Sequence, residues 1–343
     1  MTRRKVFVFV AGPVVSALFL WIALRNANLA QSWETLRRFD PRLLVLPVAI
    51  VAVNFLFRTW RWRLIFPAAC RPRFWPAFRA LTISFAANNL LPGRAGDLGR
   101  CVLIAGKVSV AESTVAAGTV VVEKLLDGLA LLAVVAYALR VLVAEGWLRH
   151  LAILGAIAFG VAFAFLLVLR WRSAWITGLL HRAATRRSLP GAAKLAGLVD
   201  SFAHGITAVT SPSTLLVLFL QTAAIWATEA ALFYAFGRSL GISLSAGGAL
   251  IAAAILGLGL MIPAAPGAIG TYEFFGSAAL RLVGVAPAPA LALTLLLHAW
   301  VLIFNTGVGL AAMAAGGIGF SAFSAAPPKP VAGAARSGGV ISS

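Results

Sequence analysis

Ten acidic side chains occur in 343 residues, and five of them stand in or beside apolar runs: Asp97, Glu123, Asp127, Glu229 and Glu273. A charged group at the centre of a membrane helix costs roughly 2.5–3.5 kcal/mol on insertion scales. Such groups therefore face a polar cavity, pair with one another or lie near an interface. Cations stand close by in sequence. Arg58 and Arg61 end one apolar run, Arg94 and Arg100 flank Asp97, and Lys124 stands between Glu123 and Asp127. Glu123 and Asp127 are four apart and share a helical face, while Lys124 lies nearly a quarter-turn away. Two arrangements fit, and they can coexist. One is an ion-pair cluster with Arg94 or Arg100 that pins a hairpin. The other is a charged pocket for a polar headgroup. Trp226 and Glu229 also share a face, as do His298 and Asn305, seven apart. A lone membrane histidine reads first as a hydrogen-bonded packing residue.

The backbone breaks are as unusual as the charges. Asn88-Asn89-Leu-Leu-Pro92-Gly93-Arg94-Ala-Gly96-Asp97 interrupts one apolar region, and Pro266-Gly267-Ala-Ile-Gly270-Thr-Tyr272-Glu273 interrupts another. Both carry Pro-Gly-x-x-Gly followed by a carboxylate. A single Pro-Gly is an ordinary turn signal. Two copies suggest a duplicated device, as in transporters built from two halves with matching broken helices. Lipid cannot satisfy the freed backbone groups, so the breaks must be buried against protein or water. Gly93 and Gly267 are therefore expected within roughly one helix diameter of each other, about 10–12 Å, with Asp97 and Glu273 on a shared cavity.

The elements that position these residues follow from composition. The chain is 61% hydrophobic and 11% charged, against about 25% charged in soluble domains. That describes an all-α polytopic membrane protein. The 29 Lys and Arg give a formal charge of +19, which basic cytoplasmic loops and anionic lipid heads explain better than nucleic acid does. Cys70 and Cys101 form no CxxC pattern, so neither metal nor disulfide framework is indicated.

A basic start precedes an apolar run from Val6 to Leu24, long enough to span and read as a retained first helix. Further spans are expected at Leu43–Phe57, 114–143, 151–169, Thr214–Phe236 and Pro289–Ala315. Arg58 to Arg79 holds six Arg and no acid, and 170–210 holds six Lys or Arg and one acid; both segments should be cytoplasmic. That parity holds only if region 77–107 enters and leaves on one side. Region 246–285 reads as the matching hairpin from the opposite side. The expectation is six full spans plus two opposed re-entrant hairpins in an inverted repeat. One domain would cover 1–315, with halves at about 43–143 and 214–315 around the basic loop 170–212. Residues 316–343 read as a disordered tail, and both termini should be cytoplasmic.

The ordered motifs Arg58-x-x-Arg61-Trp62, Asn89-Leu-Leu-Pro92-Gly93-Arg94-Ala-Gly96-Asp97-x-x-Arg100, Val122-Glu123-Lys124-Leu-Leu-Asp127 and Pro263-x-x-Pro266-Gly267-x-x-Gly270-x-x-Glu273 resemble the lysylphosphatidylglycerol synthase transmembrane region, or flippase-like domain family. Asp97 stands where Glu is usual and Lys124 where Arg is usual. The resemblance covers about residues 6–315. It implies lipid translocation in a bacterial plasma membrane, without the aminoacyl-transferring domain of bifunctional members and so without lysine transfer. The substrate could be a phospholipid, an aminoacylated lipid or a hopanoid-type lipid. Candidate substrate-binding residues are Arg58, Arg61, Asn89, Arg94, Asp97, Arg100, Glu123, Lys124, Asp127, Glu229, Tyr272 and Glu273. Pro92, Gly93, Gly96, Pro266, Gly267 and Gly270 shape the hairpins. No catalytic residue, metal or cofactor is expected, and with no ATP-binding motif movement would be downhill or ion-coupled.

Two other functions compete. A non-transporting scaffold would require a lipid-biosynthesis enzyme as partner. An intramembrane aspartyl protease would use Asp97 and Asp127, but the Gly-x-Gly-Asp motif and a Tyr at Leu126 are missing.

Overall fold

The computed structural model describes residues 3–25, 28–91, 94–105, 110–142, 146–186, 211–262 and 264–318, with 197, 199 and 203 in addition. Pro92, Gly93, Pro263, most of the loop 187–210 and the tail from 319 lie outside the described residues. Every regular element among the described residues is helical. The order is α1 Arg3–Leu24, α2 Leu29–Arg37, α3 Val45–Ile65, α4 Phe74–Leu90, α5 Ala95–Ala105, α6 Val110–Val141 and α7 Gly146–Arg186, then α8 Pro212–Ser239, α9 Ala246–Gly259, α10 Thr271–Leu282 and α11 Pro287–Gly316. Local chemistry explains the ends. Pro212 and Pro287 start α8 and α11, where a missing N–H costs nothing. Gly317, at φ 61°, ends α11 with the Ile318 N–H donating back to the Met313 carbonyl.

Four stretches among the described residues are long and apolar enough to cross a bilayer: Pro41–Ile65, Gly146–Phe165, Pro212–Ser239 and Pro287–Gly316. The 32 residues of α6 would reach across at about 1.5 Å each, but Glu123, Lys124 and Asp127 interrupt its apolar character. Pro13–Leu24 and α2 meet at 84°.

The two Pro-Gly regions form helix hairpins with short arms. α5, α9 and α10 have 11, 14 and 12 residues, against about 20 for a crossing. The arms press together through glycine. A Cβ at Gly96 would stand 2.0 Å from the Ser84 carbonyl oxygen, and one at Gly259 would stand 2.2 Å from the Phe275 ring. α9 is apolar all round and buried from Gly248 to Gly259 on nearly every side, as a helix inside a bundle must be.

The packing partners recur. α3 packs on α4, α4 on α5, α5 on α6, and α3 on α6; likewise α8 packs on α9, α9 on α10, α10 on α11, and α8 on α11. Between the two sets α3 meets α8, α4 meets α11, and α9 meets α6. Each hairpin thus leans on the last helix of the other set. The α4–α11 seam is the closest: a Cβ at Gly309 would lie 2.4 Å from the Ala86 Cβ. Small residues permit such approach where lipid supplies no hydrophobic drive between helices.

Candidate functional site

The second break sits against the first. Gly267 has φ 68°, and a Cβ there would lie 3.5 Å from the Asn89 carbonyl oxygen at the end of α4. Arg94, just past the first break, donates to the Leu260 carbonyl at the end of α9. The Asn89 amide donates to Thr306 Oγ1 at 3.1 Å, tying the first hairpin to α11. α1 shelters the second break from outside: Ser16 Oγ accepts the Ala265 N–H at 2.8 Å, and the Ser16 carbonyl oxygen would be 2.0 Å from a Cβ at Gly270. Only glycine fits there, since φ is also 86°. The Ala265 N–H and the Leu260 carbonyl thus find side-chain partners beside the breaks, as the absence of water in a bilayer demands.

A cavity of about 250 Å³ opens where the breaks meet. Arg58 from α3, Asn89 from α4, Arg94, Lys124 from α6, Glu229 from α8, Tyr272 from α10 and His298 from α11 all line it, with apolar walls from Leu256, Leu260 and Leu297. Three permanent cations therefore face one carboxylate. Arg58 donates to Glu229 at 2.9 Å and to Asn54 Oδ1 at 2.7 Å. Lys124 stands 3.4 Å from Asp97. Arg94 has no carboxylate within ion-pair reach among the described residues, and its one hydrogen bond among them goes to the neutral Leu260 carbonyl.

Behind this wall lie two closed ion pairs. Arg61 is fully buried and grips Asp127 with two hydrogen bonds at 2.6 and 3.0 Å. Thr222 and Trp226 of α8 complete that cluster, Thr222 accepting from Arg61 and Trp226 donating to Asp127. Arg100 grips Glu123 through bonds of 3.2 and 3.0 Å and lies over the Trp62 ring, 4.7 Å from its centroid. Paired and hydrogen-bonded ions of this kind escape most of the cost of burial. They fasten α3 to α6 and α5 to α6, which sets the walls of the cavity.

Glu273 has a different setting. Its Oε2 accepts the Gly270 N–H at 2.6 Å, and its Oε1 meets His298 Nδ1 at 2.5 Å. His298 Nε2 in turn meets the Gly267 carbonyl oxygen at 2.7 Å. Tyr272 stacks on the imidazole, 4.2 Å between centroids and 5° between planes.

The structure thus brings Arg58, Asn89, Arg94, Lys124, Glu229 and Tyr272 to the cavity and holds Arg61, Asp97, Arg100, Glu123, Asp127 and Glu273 behind it. Asp97 and Glu273 do not share the cavity wall, contrary to expectation. Their cationic or imidazole partners, Lys124 and His298, stand between them and the space. The reason is pairing: Asp97 is held by Lys124 and Arg100, and Glu273 by His298 and the Gly270 N–H. The expected proximity of Gly93 to Gly267 falls on a residue outside those described, but Asn89 and Arg94 on either side of it touch the second hairpin. His298 is hydrogen-bonded as its isolation suggested, and it also faces the cavity. Asn54 was not anticipated. Its signal is a polar residue in an apolar run, four before Arg58, one helical turn away.

A family model described as the lysylphosphatidylglycerol synthase TM region matches residues 9–309 of the chain. The chain belongs to that family. No curated protein and no solved structure gives a significant match. The matched span of this lysylphosphatidylglycerol synthase TM-region protein includes both breaks, all five membrane acids and the whole cavity wall. A helical membrane domain related to lipid handling is what family and apolar helices together establish.

Proposed function

We propose that this protein is a lipid flippase or transporter, carrying a polar-headed lipid across or out of the bilayer with its headgroup in the cavity and its acyl chains in the membrane. The observation that supports it most is the cavity wall: Arg58, Arg94 and Lys124 against Glu229 alone, at the junction of two broken segments. That surplus suits a phosphate-bearing headgroup, because charge-assisted hydrogen bonds from guanidinium are strongest to phosphate and carboxylate oxygens. Arg94 is the group most ready to take a phosphate oxygen.

The same reading includes six crossings, two re-entrant hairpins and an inverted repeat. In its support, α3–α6 and α8–α11 have matching neighbours; on this reading the two crossings α6 and α7 lie between α3 and α8, so the two sets run in opposite directions. It places the termini and the loop 170–212 on the cytoplasmic side of a bacterial plasma membrane. Membrane lipids are the partners it requires; it requires neither nucleic acid nor cofactor nor a chemical step.

The test is purified protein in phosphatidylcholine vesicles with trace fluorescent phosphatidylglycerol, read by dithionite bleaching. The expected result is protein-dependent bleaching of inner-leaflet label, slowed by roughly ten- to a hundredfold in Arg94→Ala, since one charge-assisted bond is worth about 1.5–3 kcal/mol. No bleaching beyond empty vesicles, for this or for neutral and aminoacylated probes, would leave the scaffold reading in its place.

A further inference from the structure

We propose that Glu273 and His298 form a proton-binding site, and that its proton travels with the lipid. The inference rests on the transport reading above and deepens it by naming the coupling ion.

The argument begins with hydrogen counting. Both ring nitrogens of His298 meet oxygens that accept: the Glu273 carboxylate at 2.5 Å and the Gly267 carbonyl at 2.7 Å. A neutral imidazole has one N–H and one lone pair. It can satisfy one of these contacts and must point its lone pair at an oxygen in the other. Both contacts are made only when the pair holds one further proton. Glu273 already accepts the Gly270 N–H in the first turn of α10, a position that suits an anionic carboxylate. The proton therefore resides on the ring, as an imidazolium–carboxylate pair. The parallel stacking of Tyr272 places a ring face against that cation.

The site is wired to the moving parts that the transport reading requires. One contact of the imidazole is the carbonyl of Gly267, the residue that touches Asn89 of the other hairpin. Loss of the proton turns one attraction into a lone-pair repulsion. Either the tip of the second hairpin is released from α11, or Glu273 is.

The site is also wired to the cavity charge. Glu273 and Tyr272 of α10 contact His298 directly; the other charged groups on the cavity wall it shares are Glu229 from α8, Arg58 from α3, Lys124 from α6 and Arg94 ahead of α5, while α4 offers the neutral Asn88 and Asn89 and α9 only apolar side chains. α2 meets α11 at Ala288, ten residues before His298. Adding a proton raises the positive charge beside the headgroup position by one. Proton and anionic headgroup then strengthen each other's binding, and by linkage they do so equally. One proton with one monoanionic lipid is an electroneutral load.

Two measurements decide. The first is ¹⁵N NMR of histidine-labelled full-length protein in nanodiscs, with the His298 signals assigned by their loss in His298→Gln. Under the conditions in which the protein moves lipid, both ring nitrogens should carry protons, and Glu273→Gln should return the ring to single protonation. A singly protonated His298 ring in the unmodified protein overturns the site, whatever the protein transports. The second uses phosphatidylcholine vesicles with trace fluorescent phosphatidylglycerol and an internal pH dye. One pH unit across the membrane should shift the leaflet ratio of the label about tenfold, with proton movement alongside. Rapid flipping at a leaflet ratio indifferent to the pH difference overturns the coupling and leaves lipid movement standing, as would pH-driven accumulation in His298→Gln. Absence of flipping under every condition defeats the transport reading and the coupling together, and the NMR result alone then decides whether the proton site exists.

Discussion

At the scale of single residues, the membrane charges fall into two groups with different expected behaviour. Arg61–Asp127 and Arg100–Glu123 are two-point pairs with almost no exposure. Removing one member leaves a buried unpaired charge, at a cost of about 3–5 kcal/mol. Arg61→Ala and Glu123→Ala should therefore lower the thermal unfolding midpoint in detergent sharply. Replacing both members of the first pair, Arg61→Met with Asp127→Leu, should recover most of that loss, since apolar substitutes are often neutral. A double variant as unstable as the single ones would show that Thr222 and Trp226 need the pair for their own bonds. The cavity cations behave otherwise. Arg94 makes no ion pair among the described residues, so Arg94→Ala should unfold near the unmodified temperature while its lipid movement drops.

At the scale of elements, glycine at the helix contacts governs how the hairpins close. Gly96 faces the Ser84 carbonyl with no room for a Cβ, and the obstacle is backbone rather than a side chain that could turn away. Gly96→Ala should open the α4–α5 contact and destabilise by about 1–3 kcal/mol, the usual range for overpacking. Gly178 has nothing within 4 Å of a Cβ on the long helix α7. Gly178→Ala should raise the midpoint slightly, because alanine is the better helix former by roughly 1 kcal/mol. Thermal unfolding of the two variants side by side checks both signs. The hairpin arms themselves were legible beforehand, because a Pro-Gly break in an apolar run is a local property. The shelter given by α1 was not: nothing in the sequence near Ser16 says that it will cover Ala265 and Gly270.

At the scale of the whole molecule, the expected topology is testable without a substrate. In a chain with Cys70→Ser and Cys101→Ala, a cysteine placed at Arg186 should escape a membrane-impermeant reagent in intact cells and react after permeabilisation. Labelling in intact cells would reverse the orientation assigned from the basic loops. A cysteine at Gly284, at the turn between α10 and α11 with open space around it, should react in intact cells. Together the two positions decide whether the hairpin sets enter from opposite faces.

Composition, the acids set in apolar runs and the paired Pro-Gly-x-x-Gly breaks determined membrane embedding, the positions of the helices and the existence of a charged interior site. Each is a property of neighbouring residues, and solvent or lipid acts on them directly. The phase of α6 was equally local: Glu123 and Asp127 share a face and Lys124 does not. Which face would meet the cavity was decided only by tertiary packing. The partners of these side chains come from far along the chain, at sequence separations of 66 for Arg61 and Asp127, 171 for Arg58 and Glu229, and 31 for His298 and Gly267. A pair of opposite charges gains nothing until the helices that carry them are side by side. Several cations could have matched each acid, and helix packing selected among them. That selection put His298 between two acceptors and left Arg94 outside ion-pair reach of the described carboxylates.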